Sequence, residues 1–163
     1  MTETPSSLTN SFAAASAEQD LQRAAAILRG TQRLLRSLNF ESLSEVPLAN
    51  GRRADILAVG RDGEIWIVEI KSSIADFRAD QKWPEYRAHC DRLFFAFTSD
   101  LNCDIFPTDT GLIVADAYGA HMHCPAPEHR LAAPTRKLMT VRFAIAAAQR
   151  FNRLVDPQGQ AEF

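Results

Sequence analysis

Two carboxylates and an ammonium fall at spacings that can bring them together: Asp55, then Glu69 after thirteen intervening residues, then Lys71. They sit in two apolar runs, Ala54 to Val59 and Ile65 to Ile70, separated by Gly60-Arg61-Asp62-Gly63. Asp-Gly between β-rich runs marks a hairpin, because glycine accepts the left-handed backbone that a tight turn requires. If the loop is Arg61, Asp62 and Gly63, Gly60 faces Glu64 and Asp55 lies directly opposite Glu69. If Asp62-Gly63 alone makes the turn, Asp55 faces Ile70 instead. In the first register the opposed Cβ atoms stand about 4.5–5.5 Å apart, and Lys71, two residues beyond Glu69, shares their face.

Paired carboxylates of this kind can hold a hard divalent cation such as Mg²⁺ or Mn²⁺, which prefers oxygen ligands and keeps waters for substrate oxygens. Such an ion neutralises a phosphodiester and acidifies a bound water, and a nearby lysine can orient or help deprotonate that water. The plainer alternative is a buried ion pair between Lys71 and the carboxylates. Each run is apolar on both faces, the pattern of central, covered strands. Ionised groups at the end of such an element are costly unless they are paired or bind a metal.

The elements that must position these groups follow from the rest of the chain. Its 163 residues, 46% hydrophobic and 23% charged, suit one soluble domain. The expected division is a flexible N-terminal arm over 1–15, a single domain over 16–156 and a tail over 157–163. Ser16 to Gln19 resembles a capping box, and Leu21, Ala24, Ala25, Leu28, Leu35 and Leu38 recur at helical spacing up to Asn39. Gly30 marks a bend or a close approach within that helix. Phe40 to Leu48 reads as a first strand, and the hairpin supplies the next two. Ser73 to Asp76 opens a helix expected to run to about Lys82. Trp83-Pro84 interrupts it and starts a short second helix. Arg92 to Thr98 and Gly111 to Asp116 read as buried strands, with a short strand near Ala120 to Cys124. A last helix runs from about Pro134 to Val155, with Leu138, Val141, Ile145, Ala148, Phe151 and Leu154 as its inner stripe. The order is that of an α/β domain around one mixed sheet.

The quoted residues carry a resemblance. Asp55 with Glu69-Ile70-Lys71, preceded by a helix and strand and followed by a helix and strand, looks like the PD-(D/E)XK nuclease superfamily. More narrowly, Gly51 to Asp55, Glu69 to Ser73, Asp76 to Tyr86 and Cys90-Asp91-Arg92 resemble the MmcB-type DNA repair proteins of bacteria. This resemblance implies a restriction endonuclease-like αβββαβ core, a mixed sheet flanked by helices, and Mg²⁺- or Mn²⁺-dependent hydrolysis of DNA phosphodiesters. It makes Asp55 and Glu69 metal ligands together with the carbonyl of Ile70, and puts Lys71 beside the attacking water. Ala54 stands where the superfamily has proline. Glu45 is a candidate further acid, with a surface carboxylate as its alternative. Gln81 or Lys82 is a candidate accessory group on the following helix. Arg52, Arg53, Arg78, Lys82 and Arg87, near Arg92, are candidates for a local basic rim. The alternative within the same resemblance is a catalytically silent module that holds DNA or a repair partner without cutting.

Other residues point elsewhere or nowhere. Net charge is −2 with a pI near 6.1, so the bulk basic excess of many nucleic-acid binders is absent and any polyanion site must be local. Trp83 and Tyr86 are expected in the core rather than stacked on bases. His121 and His123 are expected as solvent-facing strand residues, since no further ligand cluster accompanies them. Ser72 and Ser73 have no spacing that singles out a base for a nucleophile triad. Cys90, Cys103 and Cys124 lack CxxC spacing and are expected as free thiols. The start of the sequence lacks the pattern of a leader and no run is long enough to span a bilayer, so a cytoplasmic protein is expected, associated with the nucleoid when on DNA. Expected partners are DNA, other repair proteins and, as a possibility, a second copy.

Overall fold

The hairpin loop is the three-residue one. In the computed structural model, which describes residues 5–80 and 82–159 with side chains from residue 15 onward, Gly63 takes φ +82° and Gly60 N–H donates to Glu64 O at 2.8 Å. Asp62 Oδ1 accepts the Glu64 N–H at 3.0 Å, which fixes the turn from its own side chain. Ile56 therefore pairs with Val68 and Val59 with Ile65. Continued towards the open end, this register sets Asp55 opposite Glu69.

This hairpin is β2 (Arg53–Gly60) and β3 (Ile65–Ile70), preceded by α1 (Pro5–Ser37) and β1 (Phe40–Pro47). After it come α2 (Ile74–Ala79), a 3₁₀ turn (Trp83–His89), β4 (Arg92–Phe97), a second 3₁₀ turn (Cys103–Ile105), β5 (Gly111–Ala115), β6 (Ala120–Cys124) and α3 (Ala133–Val155). The six strands form one sheet in chain order. β1, β2 and β3 pair antiparallel, β3, β4 and β5 parallel, and β6 returns antiparallel on β5. β3 and β4 are thus central, as their uninterrupted apolar sequences require: Ile65, Ile67, Val68, Phe95 and Ala96 are fully buried.

α1 covers one face, where Ile27 and Leu35 pack over Ile56, Trp66, Val68 and Phe94. The first 3₁₀ turn and α3 cover the other, with Tyr86, Cys90 and Met139 over Leu57, Ile65, Ile67 and Leu93. Phe77 of α2 closes a third cluster with Phe95, Phe97 and Phe106. Gly30 is a close approach rather than a bend: a Cβ there would overlap the carbonyl oxygens of Asp116 and Gly119. Among the described residues, no helix is long and apolar enough to cross a membrane.

Four expectations need correction. The first helix begins at Pro5, so residues 5–15 of the expected arm are helical; residues 1–4 and 160–163 lie outside the described part. Among the residues of α1 whose burial is described, the buried line is Ile27, Thr31 and Leu35, while Leu21 is 72% exposed. The stripe assigned to the interior of α3 faces out: Leu138, Val141, Ile145, Phe151 and Leu154 are exposed and Met139 and Phe143 face the core. α3 is apolar on two faces, and spacing alone does not say which one the sheet takes. The helix after Lys71 also ends earlier than expected, at Ala79, where Asp80 leaves the helical conformation at ψ 91°.

A candidate carboxylate and lysine site at the sheet end

Asp55 and Glu69 meet where the β2–β3 ladder ends, and each closes the other's strand. Asp55 Oδ2 accepts the Ile70 N–H at 2.8 Å, and Glu69 Oε1 accepts the Asp55 N–H at 3.3 Å. Each carboxylate thus spends one oxygen on backbone and keeps the other for the cleft in front. Lys71 leaves β3 next, its N–H tied to Ala96 O of β4 at 2.9 Å. Burial is deep: Glu69 is 3% exposed and Lys71 4%.

The electrostatics follow from that burial. Desolvation, and then the charge of Asp55, push Glu69 up to about 8. Asp55 is also raised, again chiefly by desolvation, against the lowering hydrogen bond from Ile70. Lys71 does not bridge the two: its Nζ lies 2.6 Å from Asp80 Oδ2, just past α2. Burial raises Asp80, but the hydrogen bonds from Lys71 and the Lys82 N–H outweigh it, and the carboxyl ends below its ordinary value. An ion pair is therefore present, though its acid is Asp80 and not the opposed strand pair.

A cleft of about 450 Å³ opens over these groups, walled on one side by Ala24, Ala25 and Leu28 of α1. Glu45, Asp55, Glu69, Asp76 and Asp80 line it, five carboxylates against the three cations Arg52, Lys71 and Lys82. Even with Glu69 holding its proton the carboxylates outnumber the cations, and that surplus of anionic oxygen attracts a cation. The donor set at its floor, two carboxylates and the adjoining Ile70 carbonyl, is all oxygen and suits Mg²⁺ or Mn²⁺ better than a soft metal. Among the described residues, no group of three or more His, Cys, Asp or Glu side chains forms a metal-holding cluster. Any ion here would rest on two carboxylates, a carbonyl and water, as Mg²⁺ commonly does.

Glu45 reaches the cleft from β1 through a left-handed backbone, φ 54°, an uncommon conformation for a residue with a side chain. Arg150 of α3 grips the carbonyls of Ser44 and Glu45 there, and the Glu45 carboxylate pairs with Arg53 at 2.6 Å. Arg52 is held by Glu85 through two hydrogen bonds of 2.9 Å. Lys82 lines the cleft and is exposed. The expected rim is incomplete: Arg78 stands on α2 and Arg87 turns away to Asp109 and His129, and neither lines the cleft. Arg92 pairs with Glu64 at the opposite end of the hairpin. Gln81 lies outside the described residues. Tyr86 is buried and donates its hydroxyl to Arg53 O at 3.1 Å, and Trp83 packs against Phe95, so both aromatics serve the core. His121 and His123 are exposed on β6.

Asp76 and Asp80, which spacing puts on one face of the expected helix, from where they could face the site, both line the cleft. The Ser73 cap was the available signal: Ser73 Oγ accepts the Asp76 N–H, Asp76 in turn accepts the Ser72 N–H, and one turn on Asp80 meets Lys71. The pairing of Asp91 with Arg136 went unread, since they lie far apart in sequence. Asp91 is fully buried and takes both guanidinium nitrogens at 2.7 Å.

Fold and site together define a class: an α/β protein with one six-stranded mixed sheet, flanked by helices, whose central strands end in an acidic cleft containing a buried lysine. The chain belongs to the MmcB-like DNA repair protein family, whose model matches residues 10–158. That membership suggests a role in DNA repair and an interaction with DNA. A solved structure, the SPO1766 protein of unknown function from Silicibacter pomeroyi, is similar at 43% identity and a TM-score of 0.84, over 88% of this chain and 99% of that one. No curated protein matches the chain.

Proposed function

We propose that this protein is a Mg²⁺- or Mn²⁺-dependent DNA endonuclease of PD-(D/E)XK type, acting on damaged or branched DNA in repair. The observation that carries the reading is the opposition of Asp55 and Glu69 at the end of a buried hairpin, with Lys71 emerging beside them. A buried and a half-buried carboxyl, both raised by desolvation, are a costly arrangement, which a bound cation would offset.

Asp55, Glu69 and the Ile70 carbonyl would hold the ion, which supplies charge neutralisation at the scissile phosphate and acidification of water. The remaining steps belong to the chain. Asp80 fixes the Lys71 ammonium at the floor of the cleft, so Lys71 can orient an incoming water by hydrogen bonding. Lys82 lines the cleft and is exposed, and Arg53 is linked to the cleft only through its partner Glu45, so Lys82 is the cation best placed to meet the DNA backbone. Glu45, exposed at the cleft edge and paired with Arg53, adds an anionic oxygen that can accept a proton or orient water. The apolar α1 wall keeps bulk water from one side.

A second reading, a silent module that binds DNA without cutting, draws support from the Lys71–Asp80 pair, which gives the lysine a purely structural partner. Incubation with linear, single-stranded, branched and cross-linked DNA in Mg²⁺ or Mn²⁺ separates the two. Cleavage lost in Asp55→Ala and Lys71→Ala supports the nuclease, and cleavage surviving in both overturns the site. Binding without cleavage by the wild type selects the silent module.

A further inference from the structure

We infer that the outward face of α3 is the contact between two copies of this chain, which pair these helices antiparallel about a two-fold axis. Leu138, Val141, Ile145, Ala148, Asn152 and Val155 follow one another at steps of three and four, the spacing of a heptad seam that packs against another helix. The large apolar members are exposed: Leu138 48%, Val141 46%, Ile145 53% and Val155 67%. The opposite side of the helix already carries Met139 and Phe143 into the core, so the seam is an additional apolar face. A groove of about 290 Å³ lies between it and Val46 and Pro47 at the end of β1.

Charge identifies the occupant as the same helix. Between Val141 and Asn152 the helix has two charged residues, Arg142 and Arg150, and both turn onto β1, donating to the carbonyls of Pro47 and of Ser44 and Glu45. Two such faces meet without like charges between them. Antiparallel pairing brings Lys137, near one helix start, to the C-terminal turn and Asp156 of the second copy, and opposes the helix dipoles favourably. Parallel pairing would set Lys137 beside Lys137. The same arginines take up carbonyls on edge strand β1, which disfavours joining two sheets along the edge next to this groove.

The test is sedimentation velocity of the full chain over a wide concentration range, with Val141→Asp and Ile145→Asp. A wild-type dimer is expected, with a dissociation constant raised roughly thirtyfold or more in each variant. Both positions are exposed, so circular dichroism should match the wild type, and Tm should match at concentrations low enough for all three proteins to be monomeric. A wild type that stays monomeric throughout, or a dimer indifferent to both substitutions, overturns the interface. For the orientation, a spin label at Thr135→Cys, with Cys103 and Cys124 replaced by Ser, should report a separation of roughly 35 Å from the rise of 1.5 Å per residue. A separation near the interaxial distance, about 10 Å, overturns the antiparallel arrangement.

Discussion

Asp55 and Glu69 each accept the backbone N–H at the end of the other's strand, Ile70 to Asp55 at 2.8 Å and Asp55 to Glu69 at 3.3 Å. The reciprocity makes them structural and chemical at once. It terminates the ladder without orphaned donors and aims one oxygen from each into the cleft. Amide and alanine substitutions should therefore behave differently. Asp55→Asn and Glu69→Gln retain an oxygen that can accept these bonds, and should keep near-wild-type stability while losing divalent-cation binding. Asp55→Ala and Glu69→Ala should lose binding and also roughly 1–3 kcal/mol of stability, the cost of a buried donor left without a partner. Urea denaturation beside metal titration reads both.

The Lys71–Asp80 pair yields a different pattern. Lys71→Met should retain the fold and metal binding but lower cleavage by roughly 10²–10³, the range for losing one preorganised hydrogen-bond donor. Asp80→Asn should act through Lys71, lowering kcat more than it raises KM, because it loosens the ammonium without touching DNA. A Lys71→Met variant that cuts at the wild-type rate would remove Lys71 from the mechanism.

Proton linkage at Glu69 has a definite sign. Its folded value, about 8, lies above the ordinary 4.5. Between those pH values the metal-free folded chain holds a proton that the unfolded chain releases, so stability falls as pH rises through this window. Cation binding must displace that proton, and affinity should rise with pH up to about 8. Calorimetric titration with Mn²⁺ at pH 6.5, in two buffers of different ionisation enthalpy, should show release of about one proton per ion. Glu69→Gln should show none.

Far from the cleft, Asp91 joins three elements. It accepts from Ile65 N–H of β3, Leu131 N–H ahead of α3 and both Arg136 nitrogens. Burial raises this carboxyl, but these bonds outweigh it and hold it below its usual range. Its contribution is present above the ordinary carboxylate value and fades as pH falls through the lowered one. Asp91→Ala should cost roughly 3–5 kcal/mol, since it leaves the guanidinium and two amides without their acceptor. Thermal unfolding should register this loss while metal affinity per folded molecule stays unchanged.

The hairpin was legible because its signals agree: an Asp-Gly turn, two apolar runs, and charges at matching distances from the loop. The turn residues left two registers open, and the three-residue loop with Gly63 at φ +82° is the one that sets Asp55 opposite Glu69. α3 was harder. Its two apolar faces satisfy the same periodicity, and only packing against β1 and β2 assigns Met139 inward and Val141 outward. The rim was harder still. A guanidinium goes to the nearest acceptor in space, so Arg87 found Asp109 and Arg92 found Glu64 although both are close in sequence to residues of the cleft. Asp80 was visible on the right helix face, yet its bond to Lys71 depends on the helix ending at Ala79, which spacing had extended to Lys82.

The central claim, that the opposed carboxylates form a divalent-cation centre, is tested most directly by anomalous diffraction from crystals soaked in Mn²⁺. The expected result is a peak between Asp55 and Glu69, about 2.1 Å from an oxygen of each, with the Ile70 carbonyl in its coordination sphere. A well-ordered cleft without that peak, or with the Lys71 ammonium directly bridging the two carboxylates, would contradict it.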